Sequence, residues 1–275
     1  MKRTITLVLA VILLSIVFTG CKTKSTTIKT GGSTSVEKVM NSLIYKFQED
    51  NKDITVNYEM NGSGDGIKNT LSGLYEIGHS SRELKTDGTE DGLEAIAYAI
   101  DGVAIVLNKG NKVENLTQEQ IKDIYMGKIK NWKEVGGNDA LITVITREAS
   151  SGTRAAFGEI VGLEKKDDPK TNILSSATTC DSTGAIQTTV SQNENAIGYM
   201  SFSDVDTQKI KTCKYNGVEI SVKTLKDSSY ALKREFLLVT KQGEKLSPEA
   251  QSFKDFILSA EGQKIVADNK LLPIK

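Results

Sequence analysis

Three times in this 275-residue chain an extended run ends in a turn of glycines and hydroxyl residues that opens a helix. The turns are GGSTSV at residues 31–36, NGSGDG at 61–66 and ASSGTR at 149–154. A strand that must hand over to a helix three times commits the chain to an alternating α/β design. The rest of the pattern agrees. Val36, Val39, Met40, Leu43, Ile44 and Phe47 recur at intervals of three and four, which makes one apolar helix face that has to pack on a sheet. Residues 54–58 alternate as a strand. A helix over residues 66–72 leads into residues 75–78, and residues 93–99 lead into the apolar run 103–107. Thr117 and Gln120 form a capping box that Leu116 and Ile121 can staple, so a new helix starts there. Strands follow at 141–146, 196–200 and 236–240, with a helix at 152–161. The last helix is expected to begin at Ser247-Pro248, a hydroxyl cap followed by proline at the first helical position.

A chain of this length is near the limit for one core, about 250 to 300 residues, which favours two lobes. No linker rich in Pro or Gly separates them, so the chain is expected to cross between lobes on strands, with residues 103–107 and 236–240 as the crossing runs. The lobes are then residues 26–102 with 236–275, and residues 103–235.

The first twenty residues stand apart. Lys2 and Arg3 precede residues 5–18, in which only Thr6 and Ser15 are polar. Fourteen helical residues reach about 21 Å, short of the roughly 30 Å of a bilayer core, so residues 1–20 read as a signal peptide rather than a membrane-spanning anchor. Small residues then precede Cys21, which resembles the lipobox of bacterial lipoproteins. The resemblance implies cleavage before Cys21, acylation including palmitate on that cysteine, and a short linker over residues 21–25. Two acyl chains suffice for stable anchoring. Cys180 and Cys213 remain, to be joined as one disulfide or buried as two thiols. Neither has metal-site spacing, and His79 is the only imidazole.

Charge narrows the function. The chain carries 35 basic and 35 acidic residues, and removing Lys2 and Arg3 with the leader leaves 33 basic, so there is no basic footprint for nucleic acid. The three turns instead suit a small anion. Helix starts offer unpaired N–H groups and positive dipole ends, glycine admits a ligand to the backbone, and hydroxyls add donors. Arg147, just before the third turn, brings a planar fork suited to a tetrahedral oxyanion. His79-Ser80-Ser81-Arg82 adds two hydroxyls and a second guanidinium after a strand. None of these segments is a P-loop, a dinucleotide fingerprint or a nucleophile elbow.

In order along the chain, GSTSV, NGSGDG, SSREL, LTQEQIKDIYMGKIKNWKEVGG, R-E-A-S-S-G-T-R and FKDFILSAEGQKIV resemble the PstS-type phosphate-binding proteins, the substrate-binding components of phosphate ABC transporters. The resemblance implies a type II periplasmic-binding-protein fold, two α/β lobes around a cleft joined by two crossing strands. It implies phosphate oxygens on Thr34, Ser35, Ser63, Arg147, Ser151, Gly152 and Thr153. It also implies a monomeric, extracytoplasmic lipoprotein that needs no cofactor or metal and serves a permease and its ATPase subunits.

One position departs from the pattern. Well-known members carry an aspartate after the third strand, where it accepts the phosphate proton, and here Ser81 aligns with it, followed by Arg82. Sulfate has only acceptor oxygens at neutral pH whereas hydrogen phosphate keeps a donor, so the missing carboxylate bears on selectivity. Asp101, before the run 103–107, is the candidate replacement, or else a turn residue beside Gly102. The rival functions are binding of sulfate or molybdate, a secreted phosphatase, and a structural surface lipoprotein.

Overall fold

The computed structural model of the chain describes residues 26–168 and 170–274. The expected signal peptide, Cys21 and its linker lie outside the described residues. The first unit runs β1 (Thr26–Gly32), α1 (Glu37–Asp50), β2 (Ile54–Met60), α2 (Ser63–Leu71) and β3 (Ile77–Ser80). β1 pairs in parallel with β2 and with β3. The helix face read from the sequence is buried as a set, with Val39, Met40, Leu43, Ile44 and Phe47 inward. Each such side chain contributes about 1.5–3 kcal/mol by leaving water.

The second unit comprises β4 (Leu93–Asn108), β5 (Asn115–Leu116), α3 (Gln118–Tyr125), β6 (Thr143–Arg147), α4 (Gly152–Val161), β7 (Thr178–Cys180), α5 (Thr183–Gln192), β8 (Ala196–Ser201), β9 (Ile210–Tyr215) and α6 (Val222–Lys226). β10 (Lys233–Lys241), α7 (Pro248–Leu258), α8 (Ala260–Asp268) and β11 (Leu272–Pro273) return to the first. The capping box at Thr117 forms as expected, as does the Ser247 cap with Pro248 in the first turn.

Residues 93–99 and 103–107 turn out to be one 16-residue strand, β4. Its first part pairs antiparallel with β10, and its last part pairs with β8 on one side and β9 on the other. Two large apolar cores result, one holding Ile28, Leu43, Phe47, Phe236 and Phe253, the other Val103 to Leu107, Trp132, Phe157 and Tyr199, and a smaller cluster gathers Ile67, Leu237 and Val239. The run 103–107 is apolar because it is sunk in one core, and 236–240 because Phe236 and Leu238 enter the first core while Leu237 and Val239 enter the small cluster with Ile67. The passage between cores lies just before them, at Asp101 and Gly102 in β4 and at Leu232 to Arg234, where Val103 N–H donates to the Leu232 carbonyl at 2.8 Å.

Two further differences have clear causes. The helix expected from residue 66 begins at Ser63, because Gly62 turns the chain at φ 94°. The helix at Ser247 is not the last one. Ser259 is extended, caps α8 through Gly262 N–H, and the missing side chain of Gly262 lets α8 start against the Phe256 and Ile257 carbonyls.

Cys180 and Cys213 are buried free thiols. They sit on β7 and β9, which β4, β8 and β6 separate. Four strand spacings are about 19 Å, far beyond the roughly 7 Å that a disulfide tolerates between Cα atoms.

Candidate anion-binding site

Four helix N-termini converge between the two cores. The turn after β1 leads into α1, and Gly62 leads into α2; neither helix has a side-chain cap. From the other side come α4, capped by Ser151 through Arg154 N–H, and α5, capped by Ser182 through Ala185 N–H. Positive dipole ends therefore face one small volume from both lobes.

Seven buried hydroxyls, those of Ser33, Thr34, Ser35, Ser63, Ser81, Thr153 and Thr183, line that volume together with the buried Arg147. Within the first lobe, Ser33 Oγ donates to Ser81 Oγ at 2.8 Å, and Ser63 Oγ lies 3.2 Å from Ser81 Oγ. Across the lobes, Ser35 Oγ is 2.7 Å from Thr153 Oγ1 and 3.0 Å from Thr183 Oγ1. Arg147 Nη2 donates to Thr34 Oγ1 at 3.0 Å and Nη1 to Thr183 Oγ1 at 3.4 Å. Each hydroxyl can both donate and accept, so the ring can turn its protons toward an anion.

Arg147 is held firmly. Its N–H donates to Tyr199 Oη, its carbonyl accepts from Arg154 Nη1, and the Tyr199 ring stacks on Phe157 with centroids 4.0 Å apart. Nε and Nη2 engage both oxygens of Glu148 at 2.8 and 2.7 Å, which aims the other edge of the guanidinium at the hydroxyls. Gly152 makes the close approach possible. A Cβ there would overlap Ser63 Oγ and lie 2.7 Å from Ser81 Oγ. The Gly64 N–H donates to the Ser150 carbonyl at 2.9 Å, joining the second and third turns directly.

Thr34, Ser35, Ser63, Ser81, Arg147, Gly152 and Thr153 thus come together, and Ser151 sits at the same turn with its oxygen used as a cap. Two expected residues stand differently. Arg82 is engaged by Glu90 instead, with Nη2 on Oε1 at 2.5 Å and Nη1 on Oε2 at 3.0 Å. Asp101 is wholly buried and accepts from Arg234 Nη2 at 3.0 Å and Nε at 3.3 Å through Oδ2. Thr183, Ser33 and Arg234 were not anticipated. Thr183 follows a strand-turn-helix of the same design, D-S-T-G at residues 181–184, which a three-residue strand is too short to announce by alternation.

Two titrating groups border the site. Burial depresses His79 to about 3, so its ring, edge-on to Tyr58 and Tyr98, stays neutral. Asp204 is pushed up to about 8, by burial first and then by the Asp101 charge, with Lys38 and Arg234 opposing.

Comparison with known proteins places this geometry. Residues 19–261 match the profile of a PBP superfamily domain. The phosphate-binding protein PstS of Bacillus subtilis is 30% identical over 251 residues, covering 88% of this chain and 79% of its own. That of Staphylococcus saprophyticus is 33% identical over 246 residues, with 84% and 74% covered. A proposed phosphate ABC transporter substrate-binding protein from Clostridium perfringens, crystallised with bound phosphate, superimposes with a TM-score of 0.85 at 44% identity, over 90% of this chain and all of that one. An ABC-type phosphate transport receptor from Vibrio cholerae gives 0.74 at 32% identity, with 89% and 99% covered.

Proposed function

Because this chain belongs to the PBP superfamily, and within it to the PstS-type phosphate-binding proteins, we infer that it captures inorganic phosphate outside the cytoplasm and delivers it to a phosphate ABC transporter. The observation that carries this reading is the ring of seven buried hydroxyls and Arg147, contributed by both lobes and faced by four helix N-termini. Such a set offers a tetrahedral anion many donors and one fixed fork. On this reading the chain acts by binding, in line with relatives named as phosphate-binding and substrate-binding proteins.

Donors from both lobes make the ligand itself the link between them. An anion seated among Thr34, Ser35 and Ser63 on one side and Arg147, Gly152 and Thr153 on the other favours the closed arrangement, and binding shifts the open-closed equilibrium by that difference in affinity. Division of the lobes at residues 102/103 and 235/236 puts the polar passage of β4 and β10 at the hinge. We further assign Cys21 as the lipid-bearing residue, which would hold a monomer at the outer face of the cell membrane, within reach of the permease and ATPase subunits.

The ring contains hydroxyls where other members use a carboxylate, and this favours a second reading in which sulfate also enters. Calorimetric titration of the ligand-stripped protein at pH 7 tests both. One-to-one phosphate binding undisturbed by excess sulfate is the expected result; equal competition would transfer the assignment to tetrahedral oxyanions in general, and no heat from either would overturn it.

A further inference from the structure

We propose that Arg234 is a positioning residue for the anion site, held in place by Asp101 and acting through the Ser81 carbonyl. The proposal rests on the oxyanion-binding reading above and adds to it a residue that touches none of the ring hydroxyls.

Arg234 on β10 and Asp101 on β4 are direct partners in the antiparallel register, at the point where both strands pass between the cores. Both are buried, Asp101 completely. Nε and Nη2 of Arg234 grip Asp101 Oδ2, and the third nitrogen, Nη1, donates to the Ser81 carbonyl at 3.4 Å. The guanidinium carbon lies 5.4 Å from the Phe236 ring centroid, which limits rotation of the fork. Ser81 is tied to the ring at its other two polar groups: its N–H donates to Ser63 Oγ at 3.0 Å, and its hydroxyl meets Ser33 and Ser63. A shift of the carbonyl therefore moves the hydroxyl that joins the first turn to the second.

A buried ion pair is a poor source of stability, because two desolvated charges repay their cost only with full hydrogen bonding. A purely structural Asp101–Arg234 pair could be replaced by neutral groups at little loss. A guanidinium whose third nitrogen orients Ser81 could not. This also gives Asp101 a part in the site without contact to the anion: it fixes the arginine that fixes the serine.

The test compares phosphate affinity and melting temperature in the wild type, Arg234→Gln, the neutral pair Asp101→Asn/Arg234→Gln, Ser81→Ala, and Ser81→Ala combined with Arg234→Gln. Arg234→Gln is expected to weaken phosphate binding roughly tenfold or more, the scale of one lost charged hydrogen bond. The neutral pair is expected to recover the melting temperature but not the affinity. On the Ser81→Ala background, Arg234→Gln should cost at most a few-fold, because the two act through one contact. Recovery of both properties by the neutral pair, or an unchanged cost on the Ser81→Ala background, would overturn the proposal. If Arg234→Gln does not fold, the neutral pair decides alone. Absence of phosphate binding by the wild type would remove the oxyanion reading itself, whereas wild-type affinity in the neutral pair would remove only this inference.

Discussion

The Arg147 guanidinium has one edge on Glu148 and the other on Thr34 and Thr183, an arrangement that lysine cannot reproduce because its ammonium has no fork. Arg147→Ala is accordingly expected to reduce phosphate affinity about a hundredfold or more, and Arg147→Lys about tenfold, as read by calorimetry. Asp204 sets a pH signature. The folded protein keeps its proton up to about 8 while an unfolded chain releases it near the ordinary carboxylate value, so unfolding liberates a proton and rising pH favours it. His79 works the other way, since its folded value near 3 leaves the unfolded chain to take up a proton below about 6.5. The two oppose each other in acid, and between roughly pH 6.5 and 8 only Asp204 of the pair still acts. In that window Asp204→Asn should flatten the fall of melting temperature with pH; an unchanged slope would contradict the assignment. At this scale the sequence was legible wherever chemistry is local. Arg147 and the hydroxyls of the three turns could be read as anion donors, but that Arg82 would turn to Glu90 and that Asp101 would face Arg234 are products of the fold.

Among the elements, α4 is the one whose position is most exacting, because its first residue must pass within touching distance of Ser63 and Ser81. Gly152→Ala has no space for its methyl unless the turn of the second lobe withdraws. Phosphate affinity should fall by roughly ten- to a hundredfold, the cost of overpacking a tight contact, with far less effect on melting temperature. Equal affinity in the variant would mean that the two turns do not close on the anion. Periodicity announced α1, α3, α4 and α7 because each carries an apolar stripe or a cap signal. It missed the break at Ser259, where a hydroxyl cap interrupts a continuous helical pattern, and it divided β4, whose partly buried first half and buried second half have different compositions though they form one strand.

For the molecule as a whole, contacts beyond the ring also join the lobes in this arrangement: Lys38 Nζ donates to the Ser203 carbonyl at 2.9 Å, Thr86 to Asp167, and Lys166 pairs with Glu83 at 2.6 Å. The pair of Lys166 and Glu83 is substantially solvent-exposed and adds little to closure. The buried ring is where an anion would decide the balance between open and closed. The two-lobed architecture was legible early, because chain length, alternation and the absence of a linker all required crossing strands. The passage itself was misplaced by a few residues, since apolar runs mark the inside of a core while the chain changes cores on polar ones. The most direct test of the central claim is a crystal structure of the protein grown with phosphate. One phosphate enclosed by Arg147, Thr34, Ser35, Ser63 and Thr153, with both lobes in contact, is the predicted result. Phosphate bound by one lobe alone, or at any other place with the hydroxyl ring closed on itself, would contradict it.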